Sequence, residues 1–150
     1  MSARFVIHDV DQNAYQPMMA MEQYIHDGQI GQGMLALVKM RVSQLNGCAF
    51  CLDMHANEGR KAGLGQRKLD VLAGWREAPE LYTAAERAAL AFAEEVTNIG
   101  HGGVSDSVWQ QVAQQFSQVE HVRLMMAICA INTWNRMAVA THQELPASGS

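Results

Sequence analysis

The sequence carries little charge, and no part of it is strongly basic. Charged residues make up 17% of its 150 residues, with 11 Lys and Arg against 15 Asp and Glu and a net charge of −4. Without a stripe of Lys and Arg to face a phosphate backbone, the chain lacks the usual footprint of a nucleic-acid-binding protein. It also lacks an apolar run long enough to span a bilayer, and its start lacks the apolar segment of a signal peptide. We therefore expect a cytoplasmic protein with no nucleic acid and no membrane among its partners.

No useful length of alternating polar and apolar residues is present, and that alternation is the pattern of a half-buried strand. Apolar residues instead recur at helical spacing, and two capping-box patterns, at 83–86 and 117–120, mark helix starts. The predicted fold class is therefore all-α. No internal boundary divides the chain, so residues 1–150 are expected to form one domain. Within it, residues 1–13 are expected to be an extended N-terminal arm, residues 74–79 a loop and residues 144–150 a flexible tail.

Apolar residues are frequent, at 49% of the sequence, and ten residues are methionine. The segment 119–140 is apolar on more than one face, which is typical of a helix buried on all sides. Within it, Cys129 is expected to be a small core residue. In so short a chain, these features favour burial against other copies, although a core that uses Met as filler is an equal alternative. We expect a homo-oligomer.

Two of the three cysteines lie close together, directly after the helix-breaking pair Asn46-Gly47. A helix that begins at Cys48 puts Cys48, Cys51 and His55 on one face, because each is about one turn from the next. The first turn of a helix and a nearby histidine both stabilise a thiolate, which is the reactive form of cysteine. The spacing therefore indicates a redox-active dithiol with a base beside it.

Other interpretations of this cluster stay open. Cys and His are zinc ligands, but a closed zinc site needs a fourth ligand, which would have to be His26, His121 or His142. Haem attachment fails because Leu52, not histidine, follows the second cysteine. The cluster could also be two buried cysteines and a hydrogen-bonded histidine without chemistry. Elsewhere, Glu94 and Glu95 are interpreted as part of a solvated face or an interface. They are not expected to form a paired-carboxylate active site, since adjacent helical residues do not face each other.

The segment 41–55, Arg-Val-Ser-Gln-Leu-Asn-Gly-Cys-Ala-Phe-Cys-Leu-Asp-Met-His, resembles the signature of the AhpD-like branch of the carboxymuconolactone decarboxylase family. Segments 73–77, 86–91, 94–97 and 131–138 also resemble the family, at its usual distances. The resemblance covers about residues 15–142.

This resemblance implies an all-α fold that assembles into trimers or hexamers and has alkylhydroperoxidase-type activity. By similarity, Cys51 would attack the peroxide, Cys48 would resolve the product as a disulfide, and His55 would take the Cys51 proton. An external dithiol, a lipoyl group in the best-known relatives, would reduce the disulfide. No metal, haem or flavin cofactor is implied.

One position departs from the family pattern. The family's proton relay also uses a glutamate twelve residues before the first cysteine, and this sequence has Ala36 there. General acid–base assistance contributes about 10²–10⁴-fold in rate. Glu22, Glu58 or a neighbouring subunit would have to supply the missing carboxylate. The alternative function is therefore a redox-sensing or structural helical oligomer with weak or no turnover.

Overall fold

The computed structural model describes residues 1–147, and helices account for all of the regular structure in that range. The predicted all-α fold class is confirmed. The last three residues of the predicted flexible tail, 148–150, lie outside the described residues. The helices are α1 (Ile7–Val10), α2 (Gln16–His26), α3 (Gln32–Asn46), α4 (Ala49–Lys61), α5 (Gln66–Asp70), α6 (Ala84–Thr97), α7 (Asp106–Gln115) and α8 (Gln118–Thr141). Short 3-10 helices span Gln12–Tyr15, Leu72–Glu77 and Pro79–Leu81.

Helix α3 lies at the centre of the fold and packs against α4, α6 and α8. Its apolar side chains Leu37, Val38 and Val42 are completely buried. Burying one such side chain contributes about 1.5–3 kcal/mol. The central position of α3 explains why these side chains are covered. It also fixes α4, which follows directly and carries the two cysteines.

The junction between α3 and α4 differs in detail from the prediction. Asn46 is the last residue of α3, and Gly47 ends the helix in the left-handed conformation with φ 66°. Gly47 and Cys48 donate their N–H groups back to the last turn of α3, as in a Schellman motif. Cys48 is then the N-cap of α4, and its Sγ accepts a hydrogen bond from the Cys51 N–H at 3.3 Å. The helix that was expected to begin at Cys48 therefore begins one residue later, at Ala49, because Gly47 closes α3 and Cys48 becomes the cap.

Small residues allow α3 and α4 to approach closely. A Cβ added to Gly59 on α4 would lie 3.8 Å from the Ala36 Cβ, 3.3 Å from Leu69 Cδ2 and only 3.2 Å from Leu64 Cδ1. Ala36 itself is 1% exposed. The position where the family resemblance implies a relay glutamate is thus a closely packed apolar contact in this protein.

The N-terminal region is only partly extended. Residues 7–10 form α1, which the expectation of an extended arm missed, although α1 buries none of its side chains. The Arg4 N–H donates to the Thr141 carbonyl at 2.9 Å, and the Ala3 N–H donates to the Glu144 carboxylate at 3.1 Å. These contacts attach the start of the chain to the end of α8 and to the first residue of the predicted tail.

Both predicted capping boxes are confirmed: Thr83 with Glu86 opens α6, and Ser117 with Glu120 opens α8.

The expectation for Cys129 was wrong, because its side chain is exposed. Successive residues of a helix are about 100° apart, so the Cys129 side chain points outward although its neighbours Ile128 and Ala130 are buried. Assembly into trimers or hexamers stays a prediction. Within residues 1–147, no helix has the length and apolar character needed to cross a membrane.

The segment predicted as a loop at 74–79 falls mainly in two 3-10 helices, and it contacts α6 through Glu94. The Glu94 carboxylate accepts hydrogen bonds from Arg41 Nε at 2.7 Å, from Trp75 Nε1 at 2.9 Å and from the Arg76 guanidinium. Burial would raise the pKa of Glu94, but these three donors outweigh it and lower the pKa below its ordinary value. Glu94 is therefore a partly buried residue that joins α3, α6 and the 3-10 segment, so it is not part of a solvated face. Its alternative interpretation as an interface residue stays a prediction.

Candidate redox site

The two cysteines predicted to act together are in contact. Cys48 and Cys51 form a disulfide with a Cα–Cα distance of 5.4 Å, which is within the usual range for such bonds. Their side chains are 1% and 2% exposed. Cys48 caps α4 and Cys51 is the third residue of that helix. Cys51 therefore lies in the first turn, where the positive end of the helix dipole favours a thiolate.

His55 follows one turn later on α4 and is held by a carboxylate. Its side chain is 4% exposed, and its Nδ1 lies 2.7 Å from Glu58 Oε2. Hydrogen bonding to His55 is the main cause that lowers the pKa of Glu58, with burial acting in the opposite direction. Because Glu58 is ionised at neutral pH, it accepts the hydrogen bond, and Nδ1 carries the proton.

The other ring nitrogen is left free for chemistry. His55 Nε2 is buried and has no hydrogen-bond partner within residues 1–147. With the proton on Nδ1, neutral His55 presents a lone pair at Nε2. The structure thus shows which carboxylate contacts His55 in the absence of a glutamate at Ala36. Glu58 could be named from its spacing of three residues from His55, but sequence alone did not distinguish it from Glu22.

A cavity of about 590 Å³ lies beside these residues. Cys51, His55 and Glu58 line one side of it. Most of the remaining wall is apolar or aromatic and comes from α2, α4, α8 and the segments next to them: Tyr15, Met19, Phe50, Met54, Trp134 and Ala138. The polar residue Gln143 also lines the cavity. The volume is in the range of small-molecule sites in proteins. Cys51 is therefore placed at the edge of a largely apolar cavity.

A polar cluster, Glu22 with His26, Lys39 and Trp134, lines another part of the cavity. Glu22 Oε2 pairs with Lys39 Nζ at 2.7 Å, and the Trp134 Nε1 donates to Glu22 Oε1 at 3.1 Å. His26 Nε2 lies 3.2 Å from Glu22 and 3.4 Å from Lys39. Burial would raise the pKa of Glu22, but Lys39, Trp134 and His26 outweigh it and lower the pKa.

Lys39 is only 3% exposed, and its Nζ contacts Glu22 and His26 within this cluster. Glu22, which the sequence offered as a relay carboxylate, therefore neutralises Lys39. Sequence reasoning missed His26, Lys39 and Trp134 as cavity residues, because their contacts join residues 13 to 112 positions apart.

The histidines considered as a fourth zinc ligand have other surroundings. His121 packs against Phe92 and Trp109, with ring centroids 5.0 and 4.1 Å away. His142 is the left-handed C-cap of α8. In the part of the chain from 1 to 147, no three His, Cys, Asp or Glu side chains are grouped so that they could hold a metal ion.

Residues 12–95 match the carboxymuconolactone decarboxylase family. The chain is a member of this family. The uncharacterized protein YdfG of Bacillus subtilis (strain 168) is 36% identical to it over 140 residues, which are 93% of this chain and 95% of that protein. Membership of the carboxymuconolactone decarboxylase family agrees with the resemblance carried by the segment 41–55.

Solved structures of the same fold support the assignment to the AhpD-like branch of the carboxymuconolactone decarboxylase family. ATU0492 from Agrobacterium tumefaciens, of unknown function and proposed to be the antioxidant defence protein AhpD, has a TM-score of 0.93 and 37% identity. The match covers 98% of this chain and 100% of that one. A variant of the debrominase Bmp8 in complex with 2,3,4-tribromopyrrole has a TM-score of 0.80 at 18% identity, covering 93% of this chain and 74% of that one. At that identity, the likeness to Bmp8 shows the fold alone.

Proposed function

We propose that the protein is a thiol-dependent, alkylhydroperoxidase-like antioxidant enzyme that reduces peroxides through a dithiol–disulfide cycle of Cys48 and Cys51. The observation that carries the proposal is the arrangement at the start of α4. A cysteine pair at bonding distance lies one turn before a histidine whose Nδ1 is held by Glu58, and Cys51 opens on a cavity.

In the first step, His55 Nε2 takes the proton of the Cys51 thiol. The Cys51 thiolate attacks one peroxide oxygen, and the O–O bond breaks. Cys51 becomes a sulfenic acid, and the alkoxide that leaves takes the proton back from His55 as an alcohol. Glu58 stabilises the imidazolium that exists between the two proton transfers, as the carboxylate partner of a catalytic histidine does elsewhere.

In the second step, Cys48 attacks the sulfur of the Cys51 sulfenic acid, which releases water and forms the disulfide. An external dithiol, with a lipoyl-bearing protein as the natural candidate, then supplies two electrons and two protons to restore both thiols. The short Cα–Cα distance supports this step, because the pair needs no backbone movement to close the bond.

The substrate class follows from the cavity wall. Phe50, Met54, Met19 and Ala138 offer apolar contacts to a carbon chain or ring next to Cys51. Binding energy from such groups favours an organic hydroperoxide over hydrogen peroxide, which has no apolar part to bury. We expect a higher kcat/KM for cumene hydroperoxide than for hydrogen peroxide.

The test is thiol titration of the reduced protein before and after one equivalent of cumene hydroperoxide. A Cys129→Ser background removes the exposed third thiol, so the titration counts only the pair. Two thiols per chain should disappear together. Cys51→Ser should abolish the loss, whereas Cys48→Ser should stop at a sulfenic acid that dimedone labels. If the Cys51→Ser protein consumes peroxide as fast as its parent, the assignment is wrong.

A redox sensor without turnover is the second candidate, and the buried methyl of Ala36 favours it, since no relay carboxylate is present at that position. A sensor would consume one equivalent of peroxide per chain and stop. An enzyme would continue for many equivalents in the presence of dihydrolipoamide. Multiple-turnover peroxide consumption therefore separates the two functions.

A further inference from the structure

The disulfide lies between two cavities, and each of its two cysteines lines a different one. Cys51 lines the cavity of about 590 Å³ described above, and Cys48 does not. Cys48 instead lines a second cavity of about 370 Å³, to which Cys51 does not contribute. Phe50, Ala138 and Gln143 line both cavities and form the partition between them.

We propose that the external dithiol reaches the disulfide through this second cavity and attacks Cys48 Sγ, while the peroxide reacts at Cys51 in the first. Oxidant and reductant would then use separate entrances to one disulfide. This inference rests on the proposed function for the existence of the cycle, and it adds where the reductant binds.

The geometry of thiol–disulfide exchange supports this assignment. An attacking thiolate approaches a sulfur along the extension of the disulfide bond, on the side away from the sulfur that leaves. Attack on Cys48 therefore comes from the side opposite Cys51, and the second cavity is lined by Cys48 but not by Cys51. Attack on Cys51 would require the reductant to enter the peroxide cavity, which Met19 and Met54 line.

The preferred leaving group also favours attack on Cys48. Exchange is faster when the departing thiol has a stabilised thiolate. Departure of Cys51 leaves a thiolate in the first turn of α4 and one turn before His55, which can return the proton. The new bond joins Cys48 to the reductant, and the electron pair of the broken bond stays on Cys51. The second thiol of the reductant then attacks the reductant's own sulfur in this mixed disulfide, releasing Cys48 and leaving a cyclic disulfide.

The second cavity suits a dithiol carried on a short carbon chain. Its wall combines the apolar side chains of Phe50, Ala138 and Val139 with the polar side chains of His142 and Gln143. Val139 is 46% exposed, so this part of the cavity wall reaches the protein surface on α8. Val122, on the same helix, is also 46% exposed but lines neither cavity. The two valines provide a matched pair of variants.

The experiment measures how fast dithiothreitol and dihydrolipoamide reduce the protein after oxidation by diamide, so no peroxidase activity is required. Val139→Trp should slow reduction about tenfold to a hundredfold, as expected when a reacting group is displaced by about 1 Å. Val122→Trp should match the parent. Equal rates for Val139→Trp and Val122→Trp would overturn the proposal.

A second measurement identifies the sulfur that is attacked. Oxidised protein is mixed with a limiting monothiol, quenched with acid, alkylated and digested for mass spectrometry. The thiol adduct should lie on Cys48 and the alkyl group on Cys51, and the reverse pattern would refute the proposal. If the parent fails to consume peroxide while these results hold, the proposed peroxidase function fails and the reductant entrance stands.

Discussion

Glu58 gives the sharpest test of the site, because it is the carboxylate that contacts His55 at 2.7 Å. Glu58→Gln keeps an oxygen that accepts the Nδ1 proton, so the tautomer of His55 is kept while the charge is lost. Glu58→Ala removes both. If the carboxylate stabilises the imidazolium during peroxide attack, both variants should oxidise more slowly than the parent, and the alanine variant should be the slower.

The size of the effect follows from the exposure of Glu58. A hydrogen bond to a charged group contributes about 1.5–3 kcal/mol when it is shielded from water. The Glu58 side chain is 50% exposed, so solvent screening reduces this to about 1 kcal/mol. Since about 1.4 kcal/mol corresponds to a factor of ten in rate, Glu58→Gln should lose about fivefold. His55→Gln should lose about 10²–10⁴-fold, because it removes the base itself.

The assay is single-turnover oxidation of the reduced protein by cumene hydroperoxide in a stopped-flow instrument. Trp134 lines the cavity and provides a fluorescence signal. Asp53→Asn is the matched control, because it removes one exposed negative charge from the same helix. Equal rates for Glu58→Gln and Asp53→Asn would refute the role of Glu58.

The pH dependence of this difference has a defined sign. The pKa of Glu58 lies below its ordinary value of 4.5, chiefly because of the hydrogen bond with His55. The contribution of the carboxylate is therefore complete above about pH 4.5 and is lost as the pH falls through the lowered pKa. The ratio of parent to Glu58→Gln rates should be constant near neutral pH and should shrink in acid. A ratio that grows in acid would contradict the ionised form of Glu58.

Three further predictions concern packing and charge. Ala36→Glu should lower Tm without raising the peroxidase rate, because it buries a carboxylate between α3 and α4; a large rise in rate would show that Glu58 does not replace the missing relay. Glu94→Gln should destabilise the protein by about 2 kcal/mol in urea unfolding at pH 7, and the difference should disappear as the pH falls below 4.5 through the lowered pKa of Glu94. Lys39→Met should cost about 3 kcal/mol, because it leaves the Glu22 carboxylate without its cation, whereas Lys61→Met, at an exposed position, should change the free energy of unfolding little.

Much of the helical framework was predictable, because its signals are local. The capping boxes at Thr83 and Ser117 satisfy backbone N–H groups within three residues, and the structure contains both. The one-residue error at the start of α4 has a local cause too. A glycine between two helices can close the first one in the left-handed conformation, and Gly47 does so. The sequence could not show which of the two helices Asn46 belongs to.

The cysteine pair and His55 were predictable for the same reason, since helical spacing alone brings them to one face. The walls of the cavity were not, because Glu22, Lys39 and Trp134 come from three helices. Cys129 could have been placed better. Seven residues on, Arg136 lies on the same side of α8, and a charged residue at that spacing indicates an outward face.

Cys48 has a structural duty besides its chemistry, and this affects how mutants of the site must be chosen. Its Sγ is the cap atom of α4, the helix that carries Cys51, His55 and Glu58. Removing an N-cap side chain costs about 0.5–2 kcal/mol, and serine is among the preferred caps. A low reaction rate in Cys48→Ala could therefore come either from a frayed start of α4 or from the missing resolving thiol. Cys48→Ser keeps an acceptor at the cap, so its defects can be assigned to the loss of sulfur alone.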